Sequence, residues 1–294
     1  MKNPGIVLVL LALLALLVLP ACNSTVGPTN SVTDIYAHIR PSWSPTGNLI
    51  AFTSVVSGTT GIYSVDSLGS TPHLVLSGDG VGTTWSPDGK WLAFSHGGLL
   101  FKVKPNGDSL TQLSTVTGAI RPAWSRDGSK IAFVQGAPGS GVWIYDSRTG
   151  TTSQFLTFGD FPSWHPITGE LVVLAASLDY NSGLVVYGLL AIDSSTAAQR
   201  VLDSFATASD CGFSSISPTG NSLVYSIKRP DDYVQIWKTD LVASTRVRLT
   251  DDGGDYAAWS PDGARIVYTR TQAGDGGLWI MNADGSNKHR LTKQ

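Results

Sequence analysis

Apolar and polar positions along this chain follow a pattern that restarts about every 40 residues. Short apolar runs such as Leu49-Ile-Ala-Phe52, Ile131-Ala-Phe-Val134 and Gly277-Leu-Trp-Ile-Met281 alternate with clusters of Gly, Pro, Asp, Asn and Ser. Runs of this length, rich in β-branched and aromatic residues and bounded by turn formers, predict strands rather than helices. Self-comparison aligns six segments. They are Pro41-Ser-Trp-Ser-Pro-Thr-Gly47, Thr83-Thr-Trp-Ser-Pro-Asp-Gly89, Pro122-Ala-Trp-Ser-Arg-Asp-Gly128, Pro162-Ser-Trp-His-Pro-Ile-Thr-Gly169, Ser214-Ser-Ile-Ser-Pro-Thr-Gly220 and Ala257-Ala-Trp-Ser-Pro-Asp-Gly263. Each is followed by a run such as Ile-Ala-Phe or Leu-Val-Tyr.

The anchors Trp43, Trp85, Trp124, Trp164, Ile216 and Trp259 are spaced by 42, 39, 40, 52 and 43 residues. A period near 40 suits one four-stranded propeller blade. In each unit the Trp ends a first strand. Ser-Pro-Asp-Gly then makes the hairpin, with Pro presetting φ and Gly accepting a left-handed conformation. A second and a third strand follow, and a fourth is expected to end in Leu-Thr or Leu-Ser, as at Leu113-Ser114, Leu249-Thr250 and Leu291-Thr292. The fold class is therefore all-β, a six-bladed propeller of four-stranded antiparallel blades. The Trp is suited to fill the gap between neighbouring blades.

Composition sharpens this picture. The 22 acidic residues comprise 21 Asp and the single Glu170, a skew toward turns and away from helices. A formal net charge of −2, with no Lys/Arg cluster, argues against a nucleic-acid partner. Residues 1–22 read as an export signal: Lys2, an apolar stretch from Gly5 to Leu19, then Leu-Pro-Ala-Cys22. That stretch is shorter than the roughly 20 residues of a membrane span. Residues 23–33 read as a flexible polar tether and 34–294 as the propeller. With Cys22 at the signal boundary, Cys211 is expected to act as a small buried hydrophobe.

The Trp-Ser-Pro-Asp-Gly, Ile-Ala-Phe, Ile-Tyr-x-x-Asp and Leu-Thr signals resemble the WD-repeat-like propeller family typified by TolB. The resemblance covers Thr33 to Gln294. It implies a propeller in the bacterial envelope, here without the α/β domain that precedes the TolB propeller. The segment before Cys22 similarly resembles a bacterial lipobox, implying that Cys22 is lipidated. Asn23 after it implies sorting toward an outer membrane, on the periplasmic face or at the cell surface. Ring closure has two readings: a self-contained last blade ending in Lys288–Thr292, or a latch in which residues 32–37 join that blade.

No Gly-x-Ser-x-Gly elbow, His-Glu-x-x-His or Cys-x-x-Cys occurs, so no catalytic residue is assigned. Asp88, Asp127 and Asp262 are explained by the hairpin. His165 stands at a turn and is expected to be a local hydrogen bonder. His38 lies just before blade 1 and could approach the axis. Asp251, Asp252 and Asp255 are the one dense acidic group and a candidate Ca²⁺ site, with Asp160 or Asp210 nearby; otherwise no cofactor is expected.

The position three residues before each anchor forms a ring near the channel mouth: Arg40, Gly82, Arg121, Phe161, Phe213 and Tyr256. Two arginines and three aromatics at one level suit a carboxylate-bearing or peptide partner. A second recognition candidate is residues 176–183, expected to lengthen the loop between the second and third strands of blade 4. The expected function is a monomeric, non-catalytic protein-binding or scaffolding module. It would contact an envelope protein or peptide and meet the membrane through its lipid anchor alone. The alternatives are a Ca²⁺-dependent hydrolase or lyase and a small-ligand or glycan sensor.

Overall fold

A computed structural model of the protein describes residues 39–136, 141–180, 184–207, 211–228, 232–270 and 276–292. Every secondary-structure element among them is a strand. The strands form six antiparallel sheets of four, each in simple up-and-down order. Blades 1 to 6 span residues 39–77, 81–112, 119–156, 160–207, 211–248 and 255–290. The first strands of neighbouring blades contact one another all the way round, including blade 6 with blade 1, so the ring is closed.

A blade alone cannot bury both faces, and the core shows how stacking solves this. Each of the six hydrophobic clusters straddles one blade junction. Between blades 1 and 2, for example, Ala51, Ile62 and Val75 meet Trp85, Leu92, Phe94 and Val103. The repeated Trp fills this space and, in blades 1, 2 and 4, also ties it. The Nε1 of Trp85 donates to the Ser42 carbonyl at 3.1 Å, that of Trp164 to Ala123 at 3.0 Å and that of Trp43 to Ala258 at 3.2 Å. Each bond runs from one blade to the residue just before the anchor of the preceding blade.

The hairpin after the anchor is built as its residues require. The hydroxyl of Ser86, Ser125 or Ser260 accepts a backbone N–H five residues on and donates to the Asp two residues on, at 2.5 to 2.7 Å. That Asp in turn accepts the N–H two residues beyond it. These bonds hold the Asp127 carboxyl down to about 2, chiefly through Ser125 and Ser129. His165 takes the Ser place in blade 4 and its Nδ1 accepts from the N–H groups of Ile167 and Thr168. Burial is the main influence lowering its pKa.

Three expectations are corrected. The Leu-Thr pairs lie just beyond the fourth strands, which end at Gln112, Arg248 and Arg290. There Leu249 and Leu291 plug junctions, while the Thr250 and Thr292 hydroxyls accept N–H groups of the third strand. The extra residues of blade 4 do not form a long loop. Its last three strands are Leu171–Asp179, Leu184–Ile192 and Gln199–Thr207, nine residues each, so the insertion extends the sheet. In blade 6 the fourth strand is His289–Arg290, shorter than expected, and it completes a self-contained sheet. Residues 32–37, the alternative latch, lie outside the described residues.

Candidate site at the channel mouth

The innermost strand of every blade carries a register irregularity just before its anchor. A bulge leaves one residue out of the ladder and re-aims its side chain. The bulged residue is the one three before the anchor. Arg40, Arg121, Phe161 and Tyr256 have φ between 49° and 55°, and Gly82 has φ 70°. Left-handed backbone is unfavourable for arginine and aromatics, and its recurrence at equivalent positions is a strain held by the closed ring.

Two preceding residues support it. Asp160 Oδ1 accepts the Phe161 N–H at 2.7 Å, and Asp255 Oδ1 accepts the Tyr256 N–H at 2.8 Å. These side chains satisfy N–H groups at the bulge.

The ring is continuous from blade 6 through blade 4. Arg40 lies over the Tyr256 ring at 5.5 Å and shares a side-chain hydrogen bond with it. A Cβ at Gly82 would meet Arg40 Nη1 at 3.3 Å and the Arg121 backbone N at 3.7 Å. Arg121, 9% exposed, lies 4.2 Å over the Phe161 ring and donates from Nη1 to both oxygens of Asp160, at 2.8 and 3.0 Å. The Phe161 ring in turn reaches Gly212 of blade 5.

The two arginines differ electrically. Arg121 is neutralised by Asp160, whereas Arg40 has no ion pair within 4 Å among the described residues. Burial pushes the Arg40 guanidinium below its ordinary pKa and Arg121 adds to this, while Tyr256 and Asp160 oppose it. An arginine remains charged even so. Burial also raises the Tyr256 phenol, helped by Asp255, and raises the Asp255 carboxyl against the pull of Ser226. This end of the innermost strands therefore holds a half-buried cation against the Tyr256 ring.

The acidic group is not brought together. Asp251 pairs with Arg248 at 3.2 Å, Asp252 pairs with Arg270 at 3.3 Å, and Asp255 supports Tyr256. Among the described residues, no group of three or more His, Cys, Asp or Glu side chains could hold a metal ion. Of the remaining sequence candidates, Cys22, His38 and Asp210 lie outside the described residues, as do the side chains of Phe213 and Cys211. The sequence reading missed Asp160 and Asp255 as supports of the ring; the Asp-aromatic pairs Asp160-Phe161 and Asp255-Tyr256 were the available signal.

These features define a six-bladed β-propeller whose innermost strands carry bulged, non-equivalent residues. The fold is TolB-like. TolB of Acinetobacter baumannii superposes with a TM-score of 0.65 at 17% identity, over 85% of this chain and 61% of that one. A protein of Agrobacterium tumefaciens described as TolB gives 0.61 at 21% identity, over 75% of this chain and 84% of that one. An oligogalacturonate lyase in complex with manganese gives 0.54 at 15% identity, over 88% and 77%. In sequence, an uncharacterized protein of Agrobacterium fabrum is 35% identical over 81 residues, 26% of this chain and 26% of that relative. The chain thus spans about a quarter of that relative and less than two thirds of the Acinetobacter TolB. No family model matches the chain.

Proposed function

We propose that this protein is a non-catalytic binding module of the bacterial cell envelope, anchored through a lipidated Cys22, that holds a protein partner at the channel mouth. The observation that carries this reading is the bulged ring of Arg40, Arg121, Phe161 and Tyr256. A strained, desolvated set of arginine and aromatic side chains has the composition of an interface hot spot. Arg40, which has no ion pair within 4 Å among the described residues, supplies a charge for a carboxylate of the partner. Tyr180 and Tyr233, both strongly exposed, follow the second strands of blades 4 and 5 and so border the same end of the ring. The TolB-like fold and the lipobox-like segment support an envelope location.

The test is capture of envelope partners by purified mature protein. Replacing Arg40 by Gln keeps the Arg121–Asp160 pair but removes the cation that favours the buried Asp255 carboxylate, and is expected to abolish capture with melting lowered only modestly. Arg40→Ala with Arg121→Ala should do the same at some cost in stability. Undiminished capture by both variants rules the mouth out. The likeness to a manganese-bound lyase is addressed separately by melting with Ca²⁺ or Mn²⁺ and then with a chelator. A binding module of this kind shows no shift, whereas a native-state metal ligand raises the transition.

A further inference from the structure

Away from the channel, blade 2 departs from its five equivalents at the residue preceding the second-strand run. That position holds Leu49, Trp91, Lys130, Glu170, Ser222 and Arg265 in blades 1 to 6. Several of these bind blades together. Leu49 packs on the cluster between blades 1 and 2, Lys130 Nζ donates to Ser194 of blade 4 at 3.2 Å, and Arg265 lies over Trp43 of blade 1 at 5.1 Å. Trp91 contributes to no junction cluster. It stands half-buried with Lys102 Nζ 4.3 Å and Lys104 Nζ 5.9 Å from its ring centroid.

Around it lies an open cavity of about 340 Å³, lined by Lys90, Trp91, Lys104, Pro105 and Asn106. That volume is at the small end of ligand sites. Lys90 is held loosely by Asp88 at 3.7 Å, with both side chains largely exposed. Lys102 and Lys104 have no carboxylate within 4 Å among the described residues. The Asn106 amide is spent on Asp108. The cavity therefore offers an apolar floor, a flat indole and the ammonium groups of Lys90 and Lys104, with the Lys102 ammonium beside it over the indole.

The geometry points to a second binding site, independent of the channel mouth, for an acidic saccharide. One pyranose ring displaces the Lys102 ammonium from the Trp91 face and stacks its C–H face there, and its carboxylate is read by Lys102 and Lys104 at the ring's edge. An indole suits a ring that is apolar on its face and polar at its edge. Lysine suits a carboxylate that needs charge without fixed geometry. Three cations around a single indole are a compact site. They do not form the extended basic stripe that a nucleic-acid backbone requires.

The experiment is calorimetric titration of the full mature chain with hexagalacturonate at low salt. Maltohexaose, polyaspartate and oligothymidylate serve as neutral, purely charged and nucleic-acid probes. Hexagalacturonate is expected to bind, and to bind about tenfold more weakly to Trp91→Ala and to the Lys102→Gln/Lys104→Gln double variant. The double variant keeps the indole and guards against misfolding of the first. Maltohexaose and polyaspartate are expected to bind at least tenfold more weakly than hexagalacturonate. No binding by the wild type, unchanged binding by folded variants, or equal or tighter binding of any other probe overturns the site.

Discussion

Replacing Trp85 and Trp259 separately by Phe tests whether the anchor tryptophans hold the ring by bonding as well as by volume. The two are matched in burial, 7% and 9% exposed. They differ in one respect: Trp85 Nε1 donates to the Ser42 carbonyl at 3.1 Å, while the Trp259 Nε1 has no partner among the described residues. Phe removes a similar ring volume from both junctions, and that cost is shared. At Trp85 the change also breaks a bond between blades and unpairs a carbonyl, worth about 1 kcal/mol net. At Trp259 it removes a buried donor that already lacks an acceptor, so the packing loss is partly offset. Trp85→Phe is therefore expected to cost about 1 kcal/mol more than Trp259→Phe. Urea unfolding followed by far-ultraviolet circular dichroism, with a common slope, resolves a difference of that size. Equal losses, or a larger loss at Trp259, would refute the reasoning and leave the indole as filler alone.

Other consequences follow from particular residues. Gly82→Ala places a Cβ in left-handed backbone, at a cost of about 1 kcal/mol. The nearest atom is the movable Arg40 Nη1, so partner binding should weaken more than stability. Gly107→Ala should destabilise more, because φ is 87° and the Cβ would lie 2.6 Å from the Val75 carbonyl oxygen; melting of the two variants ranks them. The Asp127 carboxyl, near 2 when folded, sits below its unfolded value of about 3.9. Its contribution is present above pH 4 and lost as pH falls toward 2, so the stability gap to Asp127→Asn should close over that range. Asp255 runs the other way: its pKa is raised by burial, so its contribution falls as pH rises past the unfolded value. Asp255→Asn should therefore gain on the wild type between pH 4 and pH 7 in urea midpoints.

The blade architecture was legible because its physics is local. Ser-Pro-Asp-Gly makes a hairpin wherever it occurs, and six copies at one period leave few alternatives to a ring. The anchor's role followed from its size, but which indoles would find a carbonyl did not, since that depends on the approach of the neighbouring blade. The ring position of Arg40 and its equivalents was also readable, from register alone. Its left-handed bulge was not, because arginine, phenylalanine and tyrosine carry no sign of positive φ; the preceding Asp160 and Asp255 were the one hint. The acidic run at Asp251 misled because proximity in sequence says nothing of direction. Two of its members turn to Arg248 and Arg270, and the third to its own strand. The blade 4 insertion was seen as a loop because its residues are polar and glycine-bearing, yet the pairing of Ala176 with Tyr187 carries the sheet through it. Trp91 went unremarked because a tryptophan beside Leu-Ala-Phe reads as one more core residue.

Photo-crosslinking in the native envelope tests the central claim most directly. A benzophenone amino acid is placed at Tyr256, on the ring, or at Val242, 77% exposed in the turn after the third strand of blade 5 and so at the opposite end of the propeller. The account predicts a discrete protein adduct from position 256 that disappears when Arg40 is also changed to Gln, and none from position 242. An adduct from 242 without one from 256, or one from 256 that survives loss of Arg40, would contradict it.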